Sequence, residues 1–64
     1  MGEILERVLA ALGKALEALN EVEDYVNTFP EKVPPGTHGT LEKVAGLILD
    51  AKAATNLLRR KVSD

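Results

Sequence analysis

Residues 3–28 read EILERVLAALGKALEALNEVEDYVNT, and the spacing of the apolar residues in this stretch decides the fold. Leu5, Val8, Leu12, Ala15, Leu19, Val22 and Val26, with Phe29 just beyond, follow one another at alternating steps of three and four. Such steps return each side chain to one side of an α-helix, and no proline interrupts them. The pattern predicts one helix over about residues 3–28. Glu3 stands one turn before Arg7, the favourable order for a helical ion pair. Ile4, Ala11, Ala18 and Tyr25 run beside the seam, and Leu9 and Leu16 form a line on its other flank. Apolar positions spread this widely imply burial against more than one neighbour.

The next eleven residues, FPEKVPPGTHG over 29–39, hold all three prolines and two of the five glycines. Pro30 cannot continue the first helix, and Pro34-Pro35 favour an extended path. A loop over 29–39 is expected, longer than the roughly two to eight residues usual between bundle helices. Such a loop either packs over the bundle end through Phe29 and Val33 or serves a ligand.

A second helix is expected over about residues 41–62, with Thr40 as its N-cap. Glu42 falls in its first turn and Arg59, Arg60 and Lys61 in its last, as the helix dipole prefers. Leu41, Val44, Ile48, Ala51, Thr55, Leu58 and Val62 again step by three and four, and Leu47 and Ala54 widen that side. A further stripe, Gly46, Leu49, Ala53 and Leu57, runs down the back. One hairpin partner covers only one side of this helix, so the second stripe calls for another chain. The expected fold is all-α: a single domain over 1–64, an antiparallel helical hairpin assembling into a homo-oligomeric bundle. Gly46, Leu49, Ala53 and Leu57, with Leu9 and Leu16, are the expected oligomer interface. Antiparallel pairing is expected to bring Asp24 near Val44, Glu3 and Glu6 near Arg59-Arg60-Lys61, and Glu17 near Lys52.

Composition agrees. Sixty-four residues make one small domain, and 45% hydrophobic residues with only 3% aromatic is the balance of a helix bundle rather than of a disordered chain. A chain this short gains little from its own core, and small domains usually add disulfides, a metal or oligomerisation. Cys is absent and His38 is the one histidine, which removes disulfides and thiolate metal sites and leaves oligomerisation. The net charge of −2 and sequence pI of about 5.3 weigh against nucleic acid as a partner. No apolar run is long enough to span a membrane. No signal peptide is expected at Met1-Gly2-Glu3, and a cytoplasmic location fits these features.

Few residues could carry chemistry. Thr37, His38, Gly39 and Thr40 lead into the second helix, and a helix start offers N–H groups to an anion. Read plainly, they are a turn and a cap, and no P-loop pattern is present. Arg59, Arg60 and Lys61 form the one basic run, which can contact phosphate or simply complement the dipole. These seven residues are the candidate ligand site. Glu17, Glu21 and Asp24 share one helix side, but the Glu-x-x-His of bundle metal sites is missing, so no metal and no cofactor are expected. Thr55, on the seam, can satisfy itself on the carbonyl four residues back. The only serine is Ser63. Without a nucleophile–base pair the chain is not expected to be an enzyme.

In length and hairpin layout the sequence resembles the small plasmid-encoded RNA-binding four-helix-bundle dimers of the Rop type. It is also somewhat similar to the small helical oligomers by which phages sequester nucleotide immune signals. Three functions follow as expectations: a self-associating interaction or scaffold module that presents a surface to another protein; an oligomer that sequesters a phosphate-bearing small molecule; and an RNA-binding regulator.

Overall fold

Two helices and one tight turn account for the computed structural model, which describes residues 1–62. Helix α1 spans Gly2–Thr28, a short 3-10 turn spans Pro30–Lys32, and helix α2 spans Thr37–Lys61. Ser63, noted above as the one serine, lies outside the described residues. The helices fold back on each other as an antiparallel hairpin with extents of 50 × 15 × 11 Å.

Helix α1 ends where the sequence predicts. The Phe29 N–H still donates to the Tyr25 carbonyl at 2.8 Å, and Pro30 then stops the ladder. Phe29 rests against Tyr25, their ring centres 5.2 Å apart, and the Lys32 ammonium sits 4.8 Å from the centre of the Phe29 ring. Val33 is half-buried. The connection therefore packs over the end of the hairpin.

Helix α2 starts four residues earlier than expected, and the cause is a turn. The Thr37 N–H donates to the Pro34 carbonyl at 3.3 Å, with Pro35 and Gly36 as the two central residues. Gly36 has φ 85° and ψ −2°, the conformation required at the third position of a type II turn. Proline presets the second position and glycine alone takes the third without strain. The chain is thereby redirected at Gly36, and Thr37 already lies in the helix. The Thr40 N–H donates to the Gly36 carbonyl at 3.1 Å, which places Thr40 within the first turn rather than at the N-cap. The interhelical segment shrinks to residues 29–36, within the ordinary range for helix hairpins.

The seam between the helices differs from the predicted one by a rotation. Leu5 and Val26, at opposite ends of α1, are the buried residues, with 6% and 7% of their surface exposed. Leu9, Leu12, Leu16 and Leu19 are half-buried between them, whereas Val8, Ala15 and Val22 are exposed. Leu9 and Leu16, expected to meet another chain, thus line the hairpin's own interior. A leucine buries more apolar area than the alanine or valine on the opposite flank, so α1 turns its leucine column inward. On α2 the half-buried residues include Leu41, Ala45, Ile48, Ala51 and Thr55, with Val62 just beyond its end, while Val44 and Leu58 lean outward. Lys52 is also half-buried. The Thr55 hydroxyl donates to the Ala51 carbonyl at 2.7 Å, the self-satisfied arrangement its seam position calls for.

Candidate functional site

The turn-and-helix start around His38 is engaged with itself. The Thr37 hydroxyl donates to the Pro34 carbonyl at 2.6 Å, and the Thr40 hydroxyl donates to the Gly36 carbonyl at 3.2 Å. The Thr37 and Thr40 N–H groups are engaged by the same two carbonyls. His38 lies one turn before Glu42, with Nε2 3.2 Å from the carboxylate Oε1. Gly39 is exposed in the first turn of α2. An incoming phosphate would meet hydroxyls already donating and a carboxylate at the only imidazole. The sequence alone offers Thr37, His38 and Thr40 as side-chain donors beside the N–H groups of a helix start. With the turn over Pro34–Thr37, the two threonine hydroxyls are engaged instead by the carbonyls of Pro34 and Gly36, just ahead of the helix.

Arg59, Arg60 and Lys61 sit at the other end of α2, about 33 Å of helix from His38. No single small ligand bridges the two clusters within one chain. Arg59 reaches back to α1, its guanidinium 3.7 Å from the Glu6 carboxylate. Glu3 pairs with Arg7 at 3.9 Å along α1, as the i, i+4 spacing predicts. A surface cleft of about 400 Å³ opens at this end, lined by Gly2, Glu3, Glu6, Arg59 and Val62. Two carboxylates against one guanidinium make it a poor anion pocket. Among the described residues no group of three or more acidic or histidine side chains is gathered to hold a metal ion. No helix of the described chain is long and apolar enough to cross a membrane.

The chain's most distinctive surface feature is apolar. Ile4, Val8, Val22 and Tyr25 on α1 and Val44, Leu47, Leu49, Leu57 and Leu58 on α2 all stand exposed. Gly46, Leu49, Ala53 and Leu57, the stripe expected at an oligomer interface, are likewise on the surface. That stripe is the smaller of the two exposed apolar sets, and the larger one lies on the other side of the hairpin. It includes Ile4, Ala11, Ala18 and Tyr25, whose spread implies more than one neighbour, together with Leu47 and Ala54, expected to widen the internal seam.

Compared with protein-family models, with curated proteins and with solved structures, the chain gives no match.

Proposed function

We propose that this chain is a non-enzymatic interaction module that works as a homo-oligomeric helical bundle. The observation that carries the reading is its surface. The hairpin exposes 4884 Å², where a compact monomer of its mass would expose about 4,000 Å². Its radius of gyration is 15.0 Å, against about 11 Å for a compact chain of this length. No side chain among the described residues is fully buried. A free hairpin would leave most of its large apolar side chains in water, and association is the way to cover them.

Sedimentation equilibrium or native mass spectrometry tests this directly. The expected result is a discrete multiple of the 6.9 kDa chain. A monomer at every concentration up to the solubility limit would overturn the reading. The same mass measurement also addresses ligand sequestration, since a bound nucleotide-sized molecule would add a few hundred daltons per site. The internal hydrogen bonding of the His38 turn and the Glu6–Arg59 pair weigh against that alternative.

A further inference from the structure

The hairpin has two broad sides, and they differ in character. Residues seven apart on a helix share a flank. Glu6 meets Arg59, so the α1 flank of Glu6, Gly13 and Asn20 borders the α2 flank of Lys52 and Arg59. The remaining flanks then share the opposite side: Val8, Ala15 and Val22 from α1 with Val44, Ala51 and Leu58 from α2. One position further out stand Ile4, Ala11, Ala18 and Tyr25 on α1, and Leu47 and Ala54 on α2. None of these residues is charged, and the one charged heptad mate of these positions within the two helices is Lys61, in the last turn of α2. Ile4 and Leu47 are 62% and 61% exposed. The Glu6 side, in contrast, carries Glu3, Glu17 and Asp24 on α1. Leu49 shares its heptad position with Glu42 and Asn56, and Leu57 shares its own with Lys43 and Asp50.

We infer that the uncharged side is the self-association surface, that a second copy of this chain occupies it, and that the two copies pair face to face with their ends reversed. This rests on the self-association proposed above and adds its surface, its stoichiometry and its symmetry. Two further observations commit the occupant to a second copy.

The first is area. A compact dimer of twice this mass would expose about 6,600 Å². Pairing two chains that each expose 4884 Å² would therefore cover roughly 3,100 Å², within the ~2,000–5,000 Å² typical of obligate homodimers. The second is charge. Near the interhelical turn Glu21, Glu23, Asp24, Glu31 and Glu42 outnumber Lys32 and Lys43. At the opposite end, among the described residues, Arg7 and the Arg59-Arg60-Lys61 run outnumber Glu3 and Glu6, while Lys14, Asp50 and Lys52 lie close to mid-length. Each hairpin is acidic at one end and basic at the other. A two-fold axis crossing the helices at mid-length sets the basic end of each copy over the acidic end of its mate, whereas aligned ends would stack like on like.

The axis would pass at the level of Ala15 and Ala51. Nine residues inward from the Glu6–Arg59 pair on each helix lie Ala15 and Asp50. Face-to-face pairing about this axis lays α1 over its own copy and α2 over its own copy. Ala15 then faces Ala15 of the second chain, and Ala51 faces Ala51, with small side chains where the backbones approach.

Single-cysteine variants test this cleanly, because the chain has no cysteine of its own. Ala15→Cys and Ala51→Cys are each expected to form a disulfide-linked dimer under mild oxidation, whereas Ala10→Cys and Ala53→Cys, on the other side, remain largely unlinked. Sedimentation of Leu47→Glu is expected to show the monomer, and Leu49→Glu the dimer. Linkage only on mixing Ala15→Cys with Ala51→Cys would mean aligned ends and would overturn the symmetry. Preferential linkage at Ala53→Cys, dissociation by Leu49→Glu alone, or a wild-type mass above two chains would overturn the surface or the stoichiometry while self-association stood. A monomeric wild type would overturn both proposals and leave the uncharged side to a different protein.

Discussion

Glu6 and Arg59 meet across the hairpin, a carboxylate oxygen 3.7 Å from a guanidinium nitrogen. This contact marks the level at which the two helices stand beside each other and shows which flanks border each other. It lies at the rim, with both side chains substantially exposed, so its energetic contribution is small. Reversal at one site, Glu6→Arg, is expected to destabilise by at most about 1 kcal/mol. Combining it with Arg59→Glu should recover most of the loss, and both should shrink in high salt. Thermal melts of the four proteins in a double-mutant cycle check this. A double variant no more stable than Glu6→Arg would show that the pair contributes nothing.

Leu5 and Val26 clamp the hairpin at its two ends, and nothing else among the described residues is as deeply buried. Leu5→Ala should cost about 2–3 kcal/mol, toward the low end for core leucines because the site is close to solvent and can partly collapse. Leu49→Ala, on the exposed side, should cost under about 0.5 kcal/mol. Urea titrations of the two variants at one protein concentration separate these outcomes.

The helices, their antiparallel pairing and the basic-to-acidic contact at their ends were all legible in residue spacing. The rotation of α1 was not. Leu5, Leu12, Leu19 and Val26 lie on a seam whether Val8 and Ala15 or Leu9 and Leu16 flank it inside, and periodicity alone does not choose between the flanks. Side-chain size chooses, because the leucines bury more area. The start of α2 was misplaced for a different reason. Gly39 disfavours helix, so His38 and Gly39 read as loop. The type II turn over Pro34–Thr37 outweighs that local cost by delivering the chain to Thr37 in helical geometry. The Thr37–Thr40 part of the candidate ligand site loses its open loop with it, while Arg59, Arg60 and Lys61 stay at the helix end expected of them.

That turn supplies a matched pair of glycine substitutions. Gly36 has a positive φ, so Gly36→Ala should destabilise by roughly 1 kcal/mol. Gly39 lies in the first turn of α2 with nothing within 4 Å of the position a Cβ would take. Gly39→Ala should therefore stabilise by up to about 1 kcal/mol, through helix propensity and a less mobile unfolded chain. Opposite signs in chemical denaturation are expected. Stabilisation by both would place Gly36 outside the turn.

Thr55 holds a seam position but directs its hydroxyl to its own helix. Replacing it with valine removes a bond that does not join the two helices and leaves the Ala51 carbonyl its ordinary helical partner. Thr55→Val is expected to change stability by less than about 1 kcal/mol, with the same number of chains per assembly. A change in sedimenting mass would instead give Thr55 a role in specifying the assembly.

Association also predicts how stability varies with protein concentration. If folding and pairing of two chains occur together, the folded state is favoured by mass action, and the melting temperature rises with concentration. For a two-chain transition, a tenfold increase in protein is worth about 1.4 kcal/mol per mole of dimer. That is a shift of several degrees for a molecule this small, since about 1 kcal/mol moves the midpoint of a 60–100-residue domain by roughly 4–8 °C. Circular dichroism melts across two decades of concentration read the effect without any mutation. A midpoint independent of concentration, together with a monomeric mass, would mean that the hairpin stands alone with its apolar side in water.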